Sequence, residues 1–186
     1  MNTIPVPLII DFEVYLLMTM KIRLVNRLPA LEAKLSEFGL SVDDAQHVQA
    51  RVAEALGGET SRFEGMKTFL GISQDSNLLK YASVLWPEFN FSAIADESGG
   101  LESARYIRAR GDLHSGDSPA VLPPWSADVT DFTQHFGPLT NGRKWLLSDK
   151  TLPGYEEYEF FWNEERYGVG FSWGLFLYAA KYWPED

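Results

Sequence analysis

Three residues of the chain, Asp112, His114 and Asp117, have the types and spacing that chemistry at one centre would need. An imidazole flanked by carboxylates can bind a divalent metal ion or act as an oriented general base. The Asp-x-His-x-x-Asp spacing follows no mechanistic motif, however, and the neighbouring glycines and serine are typical of a polar turn. The sequence therefore predicts no catalytic residue and no metal site. A small hydrolase that uses residues 111–117 with a carboxylate partner is the alternative.

The rest of the chain offers few other groups for catalysis. His47 falls within a predicted helix as a surface or boundary residue, and His135 lies among aromatic residues as a packed or capping side chain. No nucleophile-elbow, phosphate-loop, dinucleotide or His-Glu-x-x-His motif occurs. The absence of cysteine excludes thiolate catalysis and cysteine-ligated metals. We therefore predict a non-enzymatic protein without a cofactor.

Carboxylates are abundant near the C-terminus, where Glu157, Glu159, Glu164 and Glu165 follow one another closely. A glycosidase requires two carboxylates that face each other across a cleft. With so many acids some pair is always available, so the pattern does not predict glycoside hydrolysis. The aromatic residues between these acids alternate with period two, which indicates a packed strand face rather than a sugar-binding platform.

Residues 155–173 alternate between aromatic and small or acidic side chains around a tip at residues 163–166. This alternation predicts a β-hairpin with a four-residue connection. One face carries Tyr158, Phe160, Trp162, Tyr167, Val169, Phe171 and Trp173. The other face carries Glu157, Glu159, Gly168, Gly170 and Ser172. We predict that the aromatic face packs against the N-terminal helices and strands, and that the glycines admit a bulky side chain to the small face.

Basic residues cluster once, at Arg105, Arg108 and Arg110 within a predicted helix over residues 101–110. On a helix, Arg105 and Arg108 would share a face and Glu102 could pair with Arg105. We interpret the cluster as a solvated helix face rather than as an anion-binding site.

The N-terminal segment is ambiguous between strand and helix. Apolar residues at positions 10, 12, 14 and 16 alternate with Asp11 and Glu13, which favours a hairpin of strands over residues 8–17 and 20–26. The alternative is one helix over residues 10–28, because Leu17, Leu24 and Leu28 share a helical face.

Helical periodicity and capping residues predict further helices downstream, over residues 29–38, 42–56 and 60–70, and from residues 73–75 to Trp86. Gly39 ends the first of these and Ser41 caps the second. Residues 111–142 are rich in Gly, Pro, Ser and Asp, which predicts a long irregular connection with one helical turn near residues 128–136. Residues 144–147 indicate a strand, and residues 174–182 a strand or a short helix.

These elements predict an α+β fold in which an antiparallel sheet packs against a helical N-terminal and middle region. The sheet combines the N-terminal hairpin with the C-terminal aromatic hairpin. A chain of 186 residues fits a single domain, helix-rich over residues 29–110, irregular over 111–142 and β-rich over 143–186.

The formal net charge of −10 disfavours nucleic acid and anionic membranes as partners and attracts basic ones. No apolar run is long enough to span a bilayer, and the apolar N-terminus lacks the basic leader and cleavage site of a signal peptide. Together with the absence of cysteine, these features predict a cytoplasmic protein.

A small, acidic chain without a catalytic motif is typical of proteins that bind other proteins. We therefore predict a stoichiometric inhibitor of the bacterial immunity-protein or antitoxin type, which neutralises a basic toxin, nuclease or other enzyme. The predicted partner-binding residues are Glu157, Glu159, Glu164, Glu165, Asp112 and Asp117. A structural subunit that oligomerises through its apolar C-terminal segment is a further alternative, and the sequence does not define the oligomeric state.

Overall fold

The chain forms an α+β fold, as the sequence predicts, but its strands form two antiparallel sheets rather than the single predicted sheet. A computed structural model describes residues 3–20, 28–57, 62–73, 75–113, 118–146 and 153–181. The α-helices are α1 (Val6–Thr19), α2 (Leu28–Ser36), α3 (Val42–Leu56), α4 (Arg62–Leu70) and α5 (Val129–Phe136). The strands are β1 (Leu78–Ala82), β2 (Phe89–Ala95), β3 (Leu101–Arg108), β4 (Thr140–Leu146), β5 (Pro153–Trp162), β6 (Glu165–Ser172) and β7 (Leu175–Lys181).

The predicted N-terminal strand over residues 8–17 is wrong, because this segment forms helix α1. The prediction treated Asp11 and Glu13 as solvent-facing partners of buried apolar neighbours. Glu13 is instead fully buried, and so are the residues that follow it up to Leu17. A helix enclosed on most sides has no continuous polar face, so its helical period is weak in the sequence. The second predicted strand, residues 20–26, lies almost entirely outside the described residues.

Two predicted helices of the middle region are strands. Residues 78–82 form β1, where Leu79 and Tyr81 are buried between exposed neighbours, and residues 101–108 form β3, where Ala104 and Tyr106 are buried. Both strands pair antiparallel with β2, which the sequence did not predict, in the order β1-β2-β3. Short segments with few apolar residues fit both periods, and only pairing with a distant strand decides between them.

The helices whose ends carry local signals are confirmed. Ser41 and Asp44 form a reciprocal capping box at the start of α3, and Gly39 precedes it with a left-handed φ of 69°. Helix α4 ends at Gly71, which also has a φ of 69°. These residues satisfy the free backbone groups of helix ends whatever the surrounding packing.

Helices α1 and α4 cover one face of the first sheet, and α3 packs against these two helices. The ring of Phe12 lies edge-on to that of Phe91, with 5.5 Å between centroids, and Met66 and Leu70 of α4 belong to the same buried cluster. Phe91 also stacks on Tyr81 at 5.4 Å. The opposite face of this sheet is open to solvent at Leu78, Ile94 and Ile107.

The second sheet has the order β4-β5-β6-β7. The predicted strand over residues 144–147 is confirmed as part of β4, and residues 174–182, predicted as a strand or a short helix, contain the strand β7. The aromatic face of the sheet's central hairpin packs mainly against α5, the predicted helical turn. Phe132 of α5 lies 5.1 Å from Phe160 and 5.6 Å from Phe171, measured between ring centroids. The predicted packing against the N-terminal helices is therefore wrong for most of this face, because α5 occupies it, and only Trp173 at its end packs in the cluster that contains those helices.

Backbone hydrogen bonds join the two sheets at the turn between β6 and β7. The N–H of Tyr106 on β3 donates to the carbonyl of Trp173 at 2.7 Å. Gly174 has a φ of 78°, and a Cβ there would lie 3.0 Å from the Cβ of Arg105. The glycine thus permits both the turn and the close approach of β3. On β7, Phe176 exchanges backbone hydrogen bonds with Trp125 and Ala127 at 2.7 and 2.8 Å.

Candidate protein-binding surface

The β5–β6 hairpin carries four of the six predicted partner-binding residues, and its connection is shorter than predicted. Trp162 pairs with Glu165, so only Asn163 and Glu164 form the connection rather than four residues. Their φ angles are 50° and 65°. Positive φ at both central residues is the requirement of a type I′ turn, whose twist matches that of paired strands. The tip is therefore a tight turn at the end of two long strands.

The aromatic face of the hairpin is confirmed as core. Phe160, Tyr167, Val169 and Phe171 are all buried. Their packing against α5 excludes them from any ligand-binding role, as the sequence predicts. The surface available for binding is the opposite face and the tip.

On the opposite face, Glu157 is held by tyrosines. The hydroxyl of Tyr155 donates to Glu157 Oε1 at 2.8 Å and lies 3.1 Å from the hydroxyl of Tyr178. The pKa of Tyr155 is raised well above its usual range, mainly by burial and to a smaller extent by these hydrogen bonds. Both hydroxyls therefore remain protonated donors. Glu157 thus has a structural role that the sequence did not reveal.

Gly170 explains how the two tyrosines reach this face. A Cβ at Gly170 would lie 2.7 Å from the Tyr155 hydroxyl and 2.7 Å from a ring carbon of Tyr178. The prediction that a glycine of the hairpin admits a bulky side chain is confirmed at this position.

Glu159 is paired within the chain. Its Oε1 accepts a hydrogen bond from Arg166 Nη2 at 2.6 Å, and its Oε2 accepts one from Asn141 Nδ2 at 2.8 Å. These two donors, Arg166 first, lower the pKa of Glu159. Glu159 stays ionised, with a partner cation already in place.

The two remaining hairpin carboxylates differ from each other. Glu165 forms an ion pair with Lys181 on β7. Glu164 is exposed at the turn and contacts no cation among the residues that the structure describes. Of the four predicted hairpin residues, Glu164 is therefore the one that has no charged or hydrogen-bonding side-chain partner in the described part of the chain.

Phe161 is a surface residue that the sequence analysis missed. Its side chain is 66% exposed, and it lies opposite Arg166 on the neighbouring strand. By alternation it points to the same side as Glu157 and Glu159. The signal was present in the sequence, because Phe161 falls between the two core positions Phe160 and Trp162. The tip thus combines an exposed phenyl ring with the charge of Glu164.

Of the loop residues that the sequence singled out, the structure describes only Asp112. Asp112 is exposed, whereas His114 and Asp117 lie outside the described residues. His47 is a surface residue, as predicted, with Nδ1 2.8 Å from the carbonyl of Asp43. The ring of His135 lies edge-on to that of the adjacent Phe136 at 4.7 Å, but the residue is exposed, so the prediction of a packed side chain is wrong.

The predicted arginine face does not exist, because residues three apart on a strand point to opposite sides. Arg108 is nearly buried, where it donates to Asp131 Oδ2 at 2.7 Å and to the Ser126 carbonyl at 2.7 Å and covers the ring of Phe89. Arg105 lies on the open side of the sheet, and no ion pair joins it to Glu102 among the described contacts.

Glu13 is a buried carboxylate with a structural role. Its Oε2 accepts the N–H groups of Val84 and Leu85 at 2.9 and 2.8 Å, and its Oε1 accepts the hydroxyl of Tyr106 at 3.1 Å. Burial raises the pKa of Glu13, although these hydrogen bonds oppose the shift. The residue fixes the connection between β1 and β2 onto α1.

In the described parts of the chain, no three histidine, aspartate or glutamate side chains come together in a way that could hold a metal ion. None of the helices described there combines the length and apolar character needed to cross a lipid bilayer. Comparison with protein-family models, with curated protein sequences and with solved structures found no match.

Proposed function

We propose that this protein is an acidic protein-binding module that acts in the cytoplasm as a stoichiometric inhibitor of a basic protein, in the manner of bacterial immunity proteins and antitoxins. The observation that carries the proposal is the exposed ring of Phe161 near the end of a stiff hairpin whose turn carries Glu164. Aromatic side chains that a partner can enclose supply much of the binding energy of protein interfaces.

The rigidity of the hairpin favours tight binding. Its backbone is fixed by strand pairing on both sides, and its far face is anchored in the core by Phe160. A side chain presented on such a scaffold loses little conformational entropy when a partner binds. The paired carboxylates Glu159 and Glu165 are likewise already oriented.

The charge of the chain favours rapid association with a basic partner. Long-range attraction raises the rate of encounter, and its effect decreases as salt screens the charges. At contact, Glu164 supplies a free carboxylate to a cation of the partner. Glu159 and Glu165 can also bind a cation of the partner, either in place of their intramolecular cations or together with them. Such contacts affect the specificity of binding more than its affinity. Binding over a basic active site would block substrates that carry phosphate or other negative charge.

Affinity capture from the native host tests this proposal. The immobilised protein should retain one basic protein in equimolar amount, with an association rate that falls as salt increases. The double variant Phe161→Ser/Glu164→Lys should lose this protein. Two matched controls, Val121→Ser at another exposed apolar residue and Glu54→Lys at an exposed acid of α3, should retain it. Equal retention by the double variant would place the interface elsewhere, and capture of acidic proteins alone would refute a basic partner.

A further inference from the structure

The open face of the first sheet has an ordered arrangement of side chains in three rows. Strand register places Lys80 beside Ser92 and Ser92 beside Arg105, which gives a polar row across all three strands. The row on one side contains Leu78, Ile94 and Ser103, and the row on the other side contains Ala82, Asn90 and Ile107. The face therefore has two cations at its middle and aliphatic side chains on both sides.

The aliphatic residues of this face are unusually exposed. Leu78, Ile94 and Ile107 are 45%, 37% and 45% accessible. They make up three of the seven large apolar side chains that are exposed in the described residues. Apolar side chains gathered on one face, rather than scattered singly, mark an interaction surface.

The two cations of the face, Lys80 and Arg105, have no ionic partner among the described residues. Neither Lys80 nor Arg105 makes an ion pair or side-chain hydrogen bond with another described residue, whereas Arg108 on the other side of β3 makes several. No carboxylate belongs to the three rows. In a chain of net charge −10, the three rows themselves carry two cations and no acid. Glu156 and Glu102 border a smaller cavity beside Arg105, but Glu156 is paired with Lys144 and neither acid forms an ion pair with Arg105 among the described residues. Charges farther away than about 8 Å are largely screened at physiological salt, so the local sign governs contact.

The face is also concave at one side. A cavity of about 240 Å³ separates it from the start of α5, with Ser92, Ile94 and Arg105 on one wall and Val129 and Thr130 on the other. Asp128 borders this cavity, but its carboxylate already accepts the N–H groups of Arg108 and Asp131. Helix α5 thus forms a ridge along which a second element can pack.

We propose that the open face of the first sheet binds an acidic amphipathic helix of a partner protein. Neighbouring strands lie about 4.8 Å apart, so the outer strands are separated by about 10 Å, which one helix with its side chains covers. The leucine or isoleucine side chains of such a helix contact Leu78, Ile94 and Ile107, and its carboxylates bind Lys80 and Arg105. This surface is distinct from the hairpin tip, so it goes beyond the inhibitor proposal and does not depend on it.

Charge also separates this occupant from the alternatives. A second copy of the chain that presented the same face would bring Lys80 and Arg105 towards identical cations, which disfavours a symmetric dimer. A nucleic acid would meet exposed aliphatic rows and a strongly acidic remainder of the molecule. An acidic helix satisfies both the cations and the apolar rows.

A pair of synthetic peptides tests the proposal. Each is about 18 residues long, roughly 27 Å as a helix, with leucines along one face. Glutamates flank the leucines in one peptide and lysines in the other. Fluorescence anisotropy measures binding to the full chain, and backbone amide shifts identify the face. The glutamate peptide should bind and shift the amides of Ser92, Ile94 and Ser103, and the lysine peptide should not bind this face.

Charge-changing variants complete the test. Arg105→Glu should weaken binding of the glutamate peptide at least about tenfold, whereas Arg110→Glu, the same charge change at an exposed arginine outside the three rows, should leave it unchanged. The double variant Lys80→Glu/Arg105→Glu should instead bind the lysine peptide. No binding of the glutamate peptide, or equal binding by both single variants, would overturn the proposal. If the chain self-associated and Ile94→Ser abolished this, the face would bind a second copy of the chain, and the proposal would be overturned. An oligonucleotide that shifted the same amides would overturn the proposal in favour of nucleic acid.

Discussion

The indole N–H of Trp173 donates a hydrogen bond of 2.9 Å to the hydroxyl of Thr19, at the opposite end of the chain. Thr19 is the last residue of α1, and its hydroxyl donates in turn to the carbonyl of Leu16 at 2.6 Å. The carbonyl of Trp173 accepts the N–H of Tyr106. A single residue in the β6–β7 turn therefore contacts the N-terminal helix, the first sheet and the second sheet.

We expect a measurable coupling between Trp173 and Thr19. Trp173→Phe removes the indole donor, and Thr19→Val removes its acceptor while keeping the shape of the side chain. A hydrogen bond of this kind contributes about 1 kcal/mol net to stability. Urea unfolding of both single variants and the double variant should give a coupling free energy of that size. Additive effects of the two substitutions would show that the hydrogen bond contributes nothing to stability.

Arg105 and Arg108 should differ strongly in their contribution to stability. Arg108→Leu leaves the partly buried carboxylate of Asp131 without its cation, and breaking such a largely enclosed ion pair costs up to about 3 kcal/mol. Arg105→Leu changes an exposed side chain and should alter stability by no more than about 0.5 kcal/mol. Chemical denaturation of the two variants measures the difference. Similar losses would mean that β3 does not present its arginines to opposite sides.

Helices with local capping residues are predictable from this sequence, whereas strands that pair with distant residues, such as the strand that carries both arginines, are not. Helices α2 and α3 were predicted because their caps act within a few residues, as Ser41 and Asp44 do. Strands β1 and β3 were missed because their conformation depends on pairing with β2. Local sequence contains no signal for that pairing, so the short segments were assigned to helices.

For the candidate surface, too, the sequence predicts the residues but not their contacts. The hairpin and its buried face follow from residue alternation, and the acidic residues were identified correctly by type. The partners of these acids inside the chain were not predicted. Arg166, Lys181 and Tyr155 neutralise or hold three of the acids, because strand pairing and side-chain contact bring them together. The exposure of Phe161 follows from the alternation alone, because this residue falls between two positions of the buried face.

The buried carboxylate of Glu13 should make stability depend on pH. Its pKa is raised in the folded protein, so between the unfolded and folded pKa values the folded state binds more protons than the unfolded state. Stability contributed by this group therefore decreases as pH rises from about 4.5 through that interval. Glu13→Gln keeps an oxygen for the N–H groups of Val84 and Leu85 and removes the titration.

The comparison of Glu13→Gln with the natural protein should accordingly change with pH. Relative to the natural protein, the variant should gain stability as the pH is raised from 4 to 7, measured by urea unfolding at each pH. Glu54→Gln, at an exposed position of α3, provides the matched control and should show no such trend. A difference for Glu13→Gln that is constant across this range would show that the carboxyl group does not titrate differently in the folded state.

Phe160 and Phe161 are consecutive residues of one strand with opposite roles. Phe160 is 1% exposed and packs on Phe132, whereas Phe161 is 66% exposed. Phe160→Ala should destabilise the protein by about 3–5 kcal/mol, since it creates a cavity in the second core. Phe161→Ala should change the free energy of unfolding by no more than about 0.5 kcal/mol, yet weaken capture of the basic partner.

Thermal unfolding and binding measured on the same two preparations separate these effects. If Phe161→Ala lowered stability as much as Phe160→Ala, the ring would be part of the core and could not serve as a contact. If it left both stability and capture unchanged, the hairpin tip would be excluded as the interface. Only normal stability combined with weaker capture agrees with a side chain that is kept at the surface for a partner, because an exposed aromatic ring gains its favourable burial from that contact.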